Sequence, residues 1–596
     1  MSTEHPNPPD AGPTPSISKR ARRLATLVTV AGVLSVGGAV LALRGWGVEQ
    51  GPALGDKPKQ PELFANWPKQ KPEVVLVLSG QMYGYLQKCG CSTPQKGGLE
   101  RRYNVIQMLR ARGWEVVPLD LGDVARMTNI PEQALLKYRV AMESLKDMAY
   151  RGVGIGKEEA RFPLLTALAA YALNNPEPPM LATNVENRMQ AFPGAQGSML
   201  QAWEMTPTKS GVAVGAVAAI GSSLRGEIQT LDNSIKFYQG GEGKQSVKDA
   251  LGEIDKAAKK AKAGAVVNVL LYQGKPESAV KEAMQAAEDV KSFRVILCPT
   301  EESESSEPRA KPIMVNNDKT MIIQVGHRGQ NVGVVGVFKN AKGELDLHYE
   351  RVPIGEEFET PAGTEKDQPI LKRLEWYAKE VKAQNFLAKF PKLPHPLQGK
   401  LEPIIKNLDP TGQKRLAVTY VGSAACKECH PAEYAVWEKS GHSHAYEALD
   451  KKATKPSQRN FDPECIICHT VGFEYRIGYF GSGKDEPYLR NVGCENCHGP
   501  GSLHAAFPKM KEFLAEQSPW KAGLGDVRLP EPAKLLQAAA APTPEERNKI
   551  LTPAEDRLLL RVHDVCYKCH DIDNDPHFKL EQFWPKIYHT AAKNGP

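Results

Sequence analysis

Cys494-Glu495-Asn496-Cys497-His498-Gly499-Pro500-Gly501-Ser502-Leu503-His504 decides how the C-terminal third of this chain folds. Two cysteines three apart lie about one helical turn from each other, and the next residue is a histidine. The pattern stands three more times, as Cys426-Lys-Glu-Cys429-His430, Cys465-Ile-Ile-Cys468-His469 and Cys566-Tyr-Lys-Cys569-His570. These copies take up all but three of the 11 cysteines. The spacing is that of covalent haem attachment: each thiol adds to a vinyl group as a thioether, and the adjacent histidine is held against the iron. A lone copy reads equally as a redox dithiol or half of a zinc site, but neither chemistry requires a histidine after every C-x-x-C. Four haem c groups are therefore expected. A domain packed around them draws much of its core from the haems, so residues 416–596 are expected to be mainly α and rich in loops.

The second axial position decides what such a haem does. With histidine on both faces it is saturated and suits electron transfer, whereas an open face binds a small molecule. Besides the motif ligands His430, His469, His498 and His570, the region holds His442, His444, His504, His563, His577 and His589. Six candidates for four positions make full saturation feasible. His504 is six residues beyond His498, a short loop for reaching the opposite face of the same haem, so it is expected to serve a neighbouring one. His442 ranks first in its pair with His444 close behind. His589 follows, His563 is the weakest, and His577 reads as a surface histidine.

The stretch after the first motif continues Trp437-Glu-Lys-Ser440-Gly-His442-Ser-His444. The third motif runs on through Gly499-Pro500-Gly501 to His504, and the fourth leads to Asp571, Asp573 and Trp584-Pro-Lys-Ile-Tyr-His589. Residues 418–592 thereby resemble the multihaem cytochrome c-554 family. The resemblance implies a tetrahaem electron-transfer domain, and a family that includes a haem with an open position.

The other half is of a different kind. From residue 73, short β-branched runs alternate with helical segments, which argues an α/β sandwich or open sheet over 73–355. Strands are expected at Val74–Leu78, Val116–Leu119, Val212–Ile220, Val266–Leu271, Arg294–Leu297, Met321–Val325 and Val332–Phe338. Helices are expected at 98–112, 132–149, 157–172, 246–263 and 276–289. Gly97-Gly98-Leu99-Glu100-Arg101, Leu119-Asp120-Leu121-Gly122-Asp123, Leu181-Ala-Thr183-Asn184-Val185 and Gln324-Val-Gly326-His327-Arg328-Gly329 fall in an order that resembles the metallophosphatase domain of periplasmic nucleotidases. That resemblance implies a β-sandwich flanked by helices, but a degenerate one. Ser79-Gly80-Gln81-Met82 stands where the family places Asp-x-His, and Gly154-Ile-Gly156-Lys157-Glu158 where it places Gly-Asn-His-Glu. Between residues 44 and 390 the histidines are His327 and His348 alone, too few for a binuclear centre. Asp123 is the clear survivor, so phosphoesterase activity is not expected and no catalytic residue is assigned.

Strand ends collect ligand sites in α/β sheets. Cys89, Cys91, Cys298 and His327 all follow strands, a set suited to a thiophilic metal. The plainer reading, and the preferred one, is a buried Cys298 with a separate reactive Cys89/Cys91 pair. Between the halves, residues 356–415 read as an amphipathic helix at 366–389, with Leu371, Leu374 and Ala378 on one face. A stiff connector marked by Pro391, Pro394, Pro396, Pro403 and Pro410 follows. Residues 530–547 read as a Pro-bounded helix or loop insertion, and Gly240, Gly241 and Gly243 as a loop.

At the other end, residues 24–43 (LATLVTVAGVLSVGGAVLAL) are uncharged and follow Lys19, Arg20, Arg22 and Arg23. A run of about 20 apolar residues spans a bilayer, and the positive flank stays inside. Without a small-x-small cleavage site, a retained signal anchor is preferred over a cleaved signal peptide. Residues 1–23 then form a cytoplasmic tail and 44–72 a Pro/Lys-rich tether, with the bulk of the chain periplasmic at the inner membrane. The formal charge of +7 over 596 residues, without a basic stripe, argues against nucleic acid. A redox protein or a quinol-linked membrane complex is the expected partner. An electron carrier is the favoured function. The alternatives are a multihaem oxidoreductase acting on a small nitrogen or sulfur species at a five-coordinate haem, and a binding module in the N-terminal half.

Overall fold

The computed structural model describes residues 62–589 except 89–94, 172–174, 176, 188–199, 302–310, 454–455, 482–485, 572–573 and 576–577. It divides into two compact units, Met1–Ala65 and Asn66–Pro596, and the described strands and helices all belong to the second. The expected anchor at 24–43, Cys89, Cys91, Asp573 and His577 lie outside the described residues. No helix among the described residues is long and apolar enough to cross a membrane.

The α/β half opens with β1 (Val74–Ser79), α1 (Leu99–Ala111), β2 (Val116–Asp120), α2 (Pro131–Asp147), β3 (Val153–Gly154), α3 (Lys157–Arg161) and α4 (Leu164–Tyr171). It continues through β4 (Met180–Leu181), β5 (Leu200–Gln201), β6 (Trp203–Thr206), β7 (Val212–Ile220), α5 (Ser222–Leu231) and α6 (Glu242–Lys260). The last elements are β8 (Ala265–Gln273), α7 (Pro276–Asp289), β9 (Phe293–Leu297), β10 (Ile313–Val315), β11 (Thr320–Ile323), β12 (Asn331–Lys339) and β13 (Leu345–Pro353). One sheet has the order β13-β12-β1-β2-β3-β4-β5 and the other β10-β11-β9-β8-β7-β6.

The two sheets pack face to face. Val74, Leu76, Leu78, Val117 and Leu119 of the first meet Val212, Val214, Ala216, Val267, Val269, Leu271, Val295 and Leu297 of the second. Because side chains alternate along a strand, Val217, Ala219, Leu270 and Ile296 point the other way. They pack against Val247, Leu251 and Ile254 of α6 and Ala279, Ala283 and Ala287 of α7. The expected sandwich flanked by helices is the observed architecture.

Three local expectations change. The helix expected at 157–172 is two helices, because Pro163 lacks the N–H that would continue α3. Gly243 lies in the first turn of α6 rather than in a loop. The stiff connector is mostly helix: after α8 (Pro369–Ala383) and α9 (Phe386–Lys389) comes α10 (Pro396–Leu408). Pro396 is the first residue of α10, where a missing N–H costs nothing, and the His395 side chain accepts from the Leu397 N–H. The 530–547 insertion resolves into helices Pro532–Ala539 and Pro544–Ile550. The haem-motif half is short helices and loops, with no strand longer than a single bridge among its described residues.

Candidate functional site

Each C-x-x-C-H motif lies on or just beyond a helix. The first follows Ser423–Cys426, the second closes Pro463–His469, the third is Cys494–His498, and the fourth ends Pro553–Tyr567. The turn persists through the motif: the His430 N–H donates to the Cys426 carbonyl and the His570 N–H to that of Cys566, both at 2.9 Å. Capping fixes where the helices start. Asp462 accepts from the Glu464 N–H, and Thr552 with Glu555 forms a reciprocal capping box.

The histidine rings stand in pairs. His430 faces His504 with ring centres 6.2 Å apart, His498 faces His589 at 6.0 Å, and His442 faces His570 at 6.0 Å. Imidazole nitrogen binds first-row metals at about 2 Å, and the ring centre lies roughly 1 Å further out. Two imidazoles on opposite sides of one iron therefore have centres about 6 Å apart, so the three pairs fit bis-histidine haem. His504 faces the first motif rather than its own. Among the described residues no second imidazole makes a ring contact with His469. His444 is exposed, and His563 stacks on Tyr567 of its own helix at 5.1 Å.

Hydrogen bonds orient the rings. Nδ1–H of His469 donates to the Ala445 carbonyl at 2.6 Å, that of His498 to Gln517 at 2.7 Å, and that of His589 to Ile587 at 2.9 Å. His570 donates to the buried Asp575 carboxylate at 2.7 Å. Each bond commits Nδ1 as donor and leaves Nε2 with its lone pair, the tautomer a metal needs. Burial lowers the pKa of His469, His498 and His504 and, with the facing His570, that of His442 to about 4, which favours the neutral ring at these four positions.

The motifs also abut one another. The Cys426 thiol is in hydrogen-bonding reach of Cys494, and Cys468 of Cys569. Cys497 lies close to Cys566 and Cys569. Ser423, at the start of the first helix, accepts from the Cys494 N–H at 3.0 Å. The first motif thus touches the third, the third the fourth, and the fourth the second.

In the α/β half the strand ends carry polar side chains that satisfy one another. Ser79 donates to Asp120 at 2.5 Å with the Arg102 guanidinium alongside. Gln81 donates to the Thr300 carbonyl and accepts from its N–H. Asp123 accepts from the Glu158 N–H at 2.9 Å and from Gln273 at 3.2 Å. Glu159 accepts from the N–H groups of Asp123, Val124 and Gly156. A Cβ on Gly156 would lie 2.1 Å from Asp123 Oδ1, so the loop is closed down on the carboxylate. No group of three or more His, Cys, Asp or Glu placed to hold a metal exists among the described residues. Cys298 packs in the apolar cluster under α6 and α7, which pushes its thiol up to about 12, while its neighbour Leu297 faces the space between the sheets. His327 is fully buried beside the Arg328 guanidinium. Glu159 and Gln273 do not stand out in the sequence; the Glu three residues after Gly156, at a helix start, is the one available signal.

Comparison with known proteins gives two unrelated likenesses. Residues 425–499 match the family model for cytochrome c554 and c-prime. Cytochrome c-554 of Nitrosomonas europaea is 33% identical over 92 residues, 14% of this chain and 39% of that protein. The chain thus spans well under half the length of that relative. Among solved structures, a 5'-nucleotidase precursor from Thermus thermophilus is 18% identical, covering 54% of this chain and 60% of its own, with a TM-score of 0.40. The sulfate thiohydrolase SoxB of Thermus thermophilus is 14% identical over 52% of this chain and 61% of its own, with a TM-score of 0.38.

Proposed function

We propose that this chain is a tetrahaem c-type cytochrome that carries electrons on the exported side of the inner membrane, held there by residues 24–43. Cys426/Cys429, Cys465/Cys468, Cys494/Cys497 and Cys566/Cys569 attach the four haems, with His430, His469, His498 and His570 as their first axial ligands. His504, His589 and His442 take the opposite positions on the first, third and fourth. The three imidazole pairs at 6.0–6.2 Å carry this reading. Haem supplies one-electron chemistry, and saturated iron restricts that chemistry to electron transfer. Contact between motifs supports an electron path in the order first, third, fourth, second. A redox protein or a quinol-linked membrane complex is the donor or acceptor.

A second reading rests on His469, which lacks an opposing imidazole among the described residues. On this reading the second haem, held by Cys465, Cys468 and His469, would offer an open position at which a small nitrogen or sulfur species would exchange electrons. Optical spectra of the purified protein, oxidised, reduced and reduced under carbon monoxide, test both. The electron-carrier reading predicts no response to carbon monoxide, and a response near one haem in four would put the second reading first. No response means four saturated haems and leaves pure electron transfer; a pyridine haemochrome count other than four rejects the tetrahaem reading itself.

A further inference from the structure

The second motif is set apart twice. His469 has no facing imidazole among the described residues, and its helix, Pro463–His469, is gripped by the α/β half. At the start of that helix the Asp462 carboxylate is buried, and it accepts from Gln133 of α2 at 2.8 Å and from the Tyr377 hydroxyl of α8 at 3.2 Å. It also accepts from the Glu464 N–H at 3.0 Å. One turn along α2 from Gln133, Lys137 pairs with Glu464, with the lysine side chain only 11% exposed. Both carboxylates and Cys465 lie close enough to Lys137 to act on its charge. A phosphatase-like sandwich needs none of these contacts, because they reach away from its strand ends into the neighbouring region.

We propose that α2 of the α/β half sets the reduction potential of the haem on Cys465 and Cys468, with Lys137 and Asp462 as opposed fixed charges beside the attachment point. The inference rests on the haem reading above. A ferric haem carries one more positive charge than a ferrous one. A nearby ammonium therefore favours reduction and a nearby carboxylate favours oxidation, weakly screened where the groups are buried. Gln133 and Tyr377 hold the Asp462 carboxylate in place; Glu464, more exposed, contributes less. Lys137 and Asp462 are positioning residues that touch neither iron nor substrate. The α/β half thereby tunes the haem on the second motif.

The test is a spectroelectrochemical titration of the full-length holoprotein at pH 8 with Lys137→Met and Asp462→Asn. Asparagine keeps the size of the aspartate and an oxygen to accept from Gln133, so this variant stands in where Lys137→Met fails to fold. Lys137→Met is expected to lower the potential of one haem in four, and Asp462→Asn to raise that of the same haem. The double variant returns towards wild type. Shifts of both single variants in one direction, or unchanged potentials in proteins holding four haems, overturn the proposal. A wild-type haem count below four is a separate failure, of the haem reading, and the proposal falls with it.

Discussion

His442 and His444 sit two residues apart in one tight turn, and their surroundings divide them. The His442 carbonyl accepts from the Val492 N–H at 3.1 Å, and its ring meets His570. His444 is exposed. A ring that faces a second imidazole is placed as a ligand, and His444 meets none among the described residues. On the tetrahaem reading, replacing His442 by Ala should convert one low-spin haem in four to high-spin, read by electron paramagnetic resonance and the absorption spectrum. His444→Ala should leave both unchanged. A normal spectrum in His442→Ala would exclude the assignment. Sequence alone ranks these two histidines only by their distance from Trp437, because ring pairing depends on contacts between motifs that local spacing does not encode. The same holds for His504, whose short loop excludes its own motif but does not say which neighbour receives it.

At the scale of elements, β7 and the strands around β1, β8 and β9 are legible because β-branched runs of that length have few other uses. The two-residue strands β3, β4 and β5 carry too little pattern to be seen, and β13 alternates polar residues that read as loop. Proline misleads twice in opposite senses: at Pro396 it opens a helix, and at Pro163 it ends one. The C-x-x-C-H motifs stand out in the sequence because haem attachment requires a fixed spacing. The polar cluster at the strand ends is half readable, since the scarcity of histidine shows in sequence while the hydrogen bonds made by Gln81, Asp123, Glu159 and Gln273 do not. The carboxylates buried there make the fold sensitive to pH. Asp123 and Glu159 are both fully buried and repel each other, and burial first, then Asp123, raises the Glu159 pKa to about 8. Its unfolded value is near 4.5, so the unfolded chain releases this proton at lower pH than the folded one. The contribution to stability is therefore full below about pH 4.5 and is lost as pH rises through 8. Asp123→Asn removes the repulsion, and asparagine tolerates the left-handed φ of 55° found there. The α/β half of this variant should gain roughly 1–3 kcal/mol at pH 9 relative to wild type, with little difference at pH 5. Thermal melts at the two pH values decide it: an equal shift at both would rule out the electrostatic origin.

On the scale of the molecule, α8 is the element both halves share. Towards the α/β side, Arg373 pairs with Glu143 and Asp147 of α2, and Gln368 donates to the Glu100 carbonyl of α1. Towards the haem motifs, Glu375 accepts from Ser457, Tyr377 donates to Asp462, and the Lys382 ammonium lies 4.4 Å from the Phe461 ring centre. Leu371, Leu374, Ala378 and Val381 form its buried stripe. An interface this continuous couples the halves, so ellipticity and Soret absorbance should fall together in one thermal transition. Leu374 is 2% exposed within the stripe. Truncating it to Ala leaves a cavity and removes about 2–5 kcal/mol from the docking. Neither half's own core is touched by that change: the sheet–sheet packing keeps every residue it had, and the haem motifs keep their capping bonds. The Leu374→Ala protein should therefore unfold in two steps, with ellipticity from the α/β half lost at one temperature and Soret absorbance at another. A single transition shifted as a whole would mean that α8 belongs to the core of one half instead of joining two.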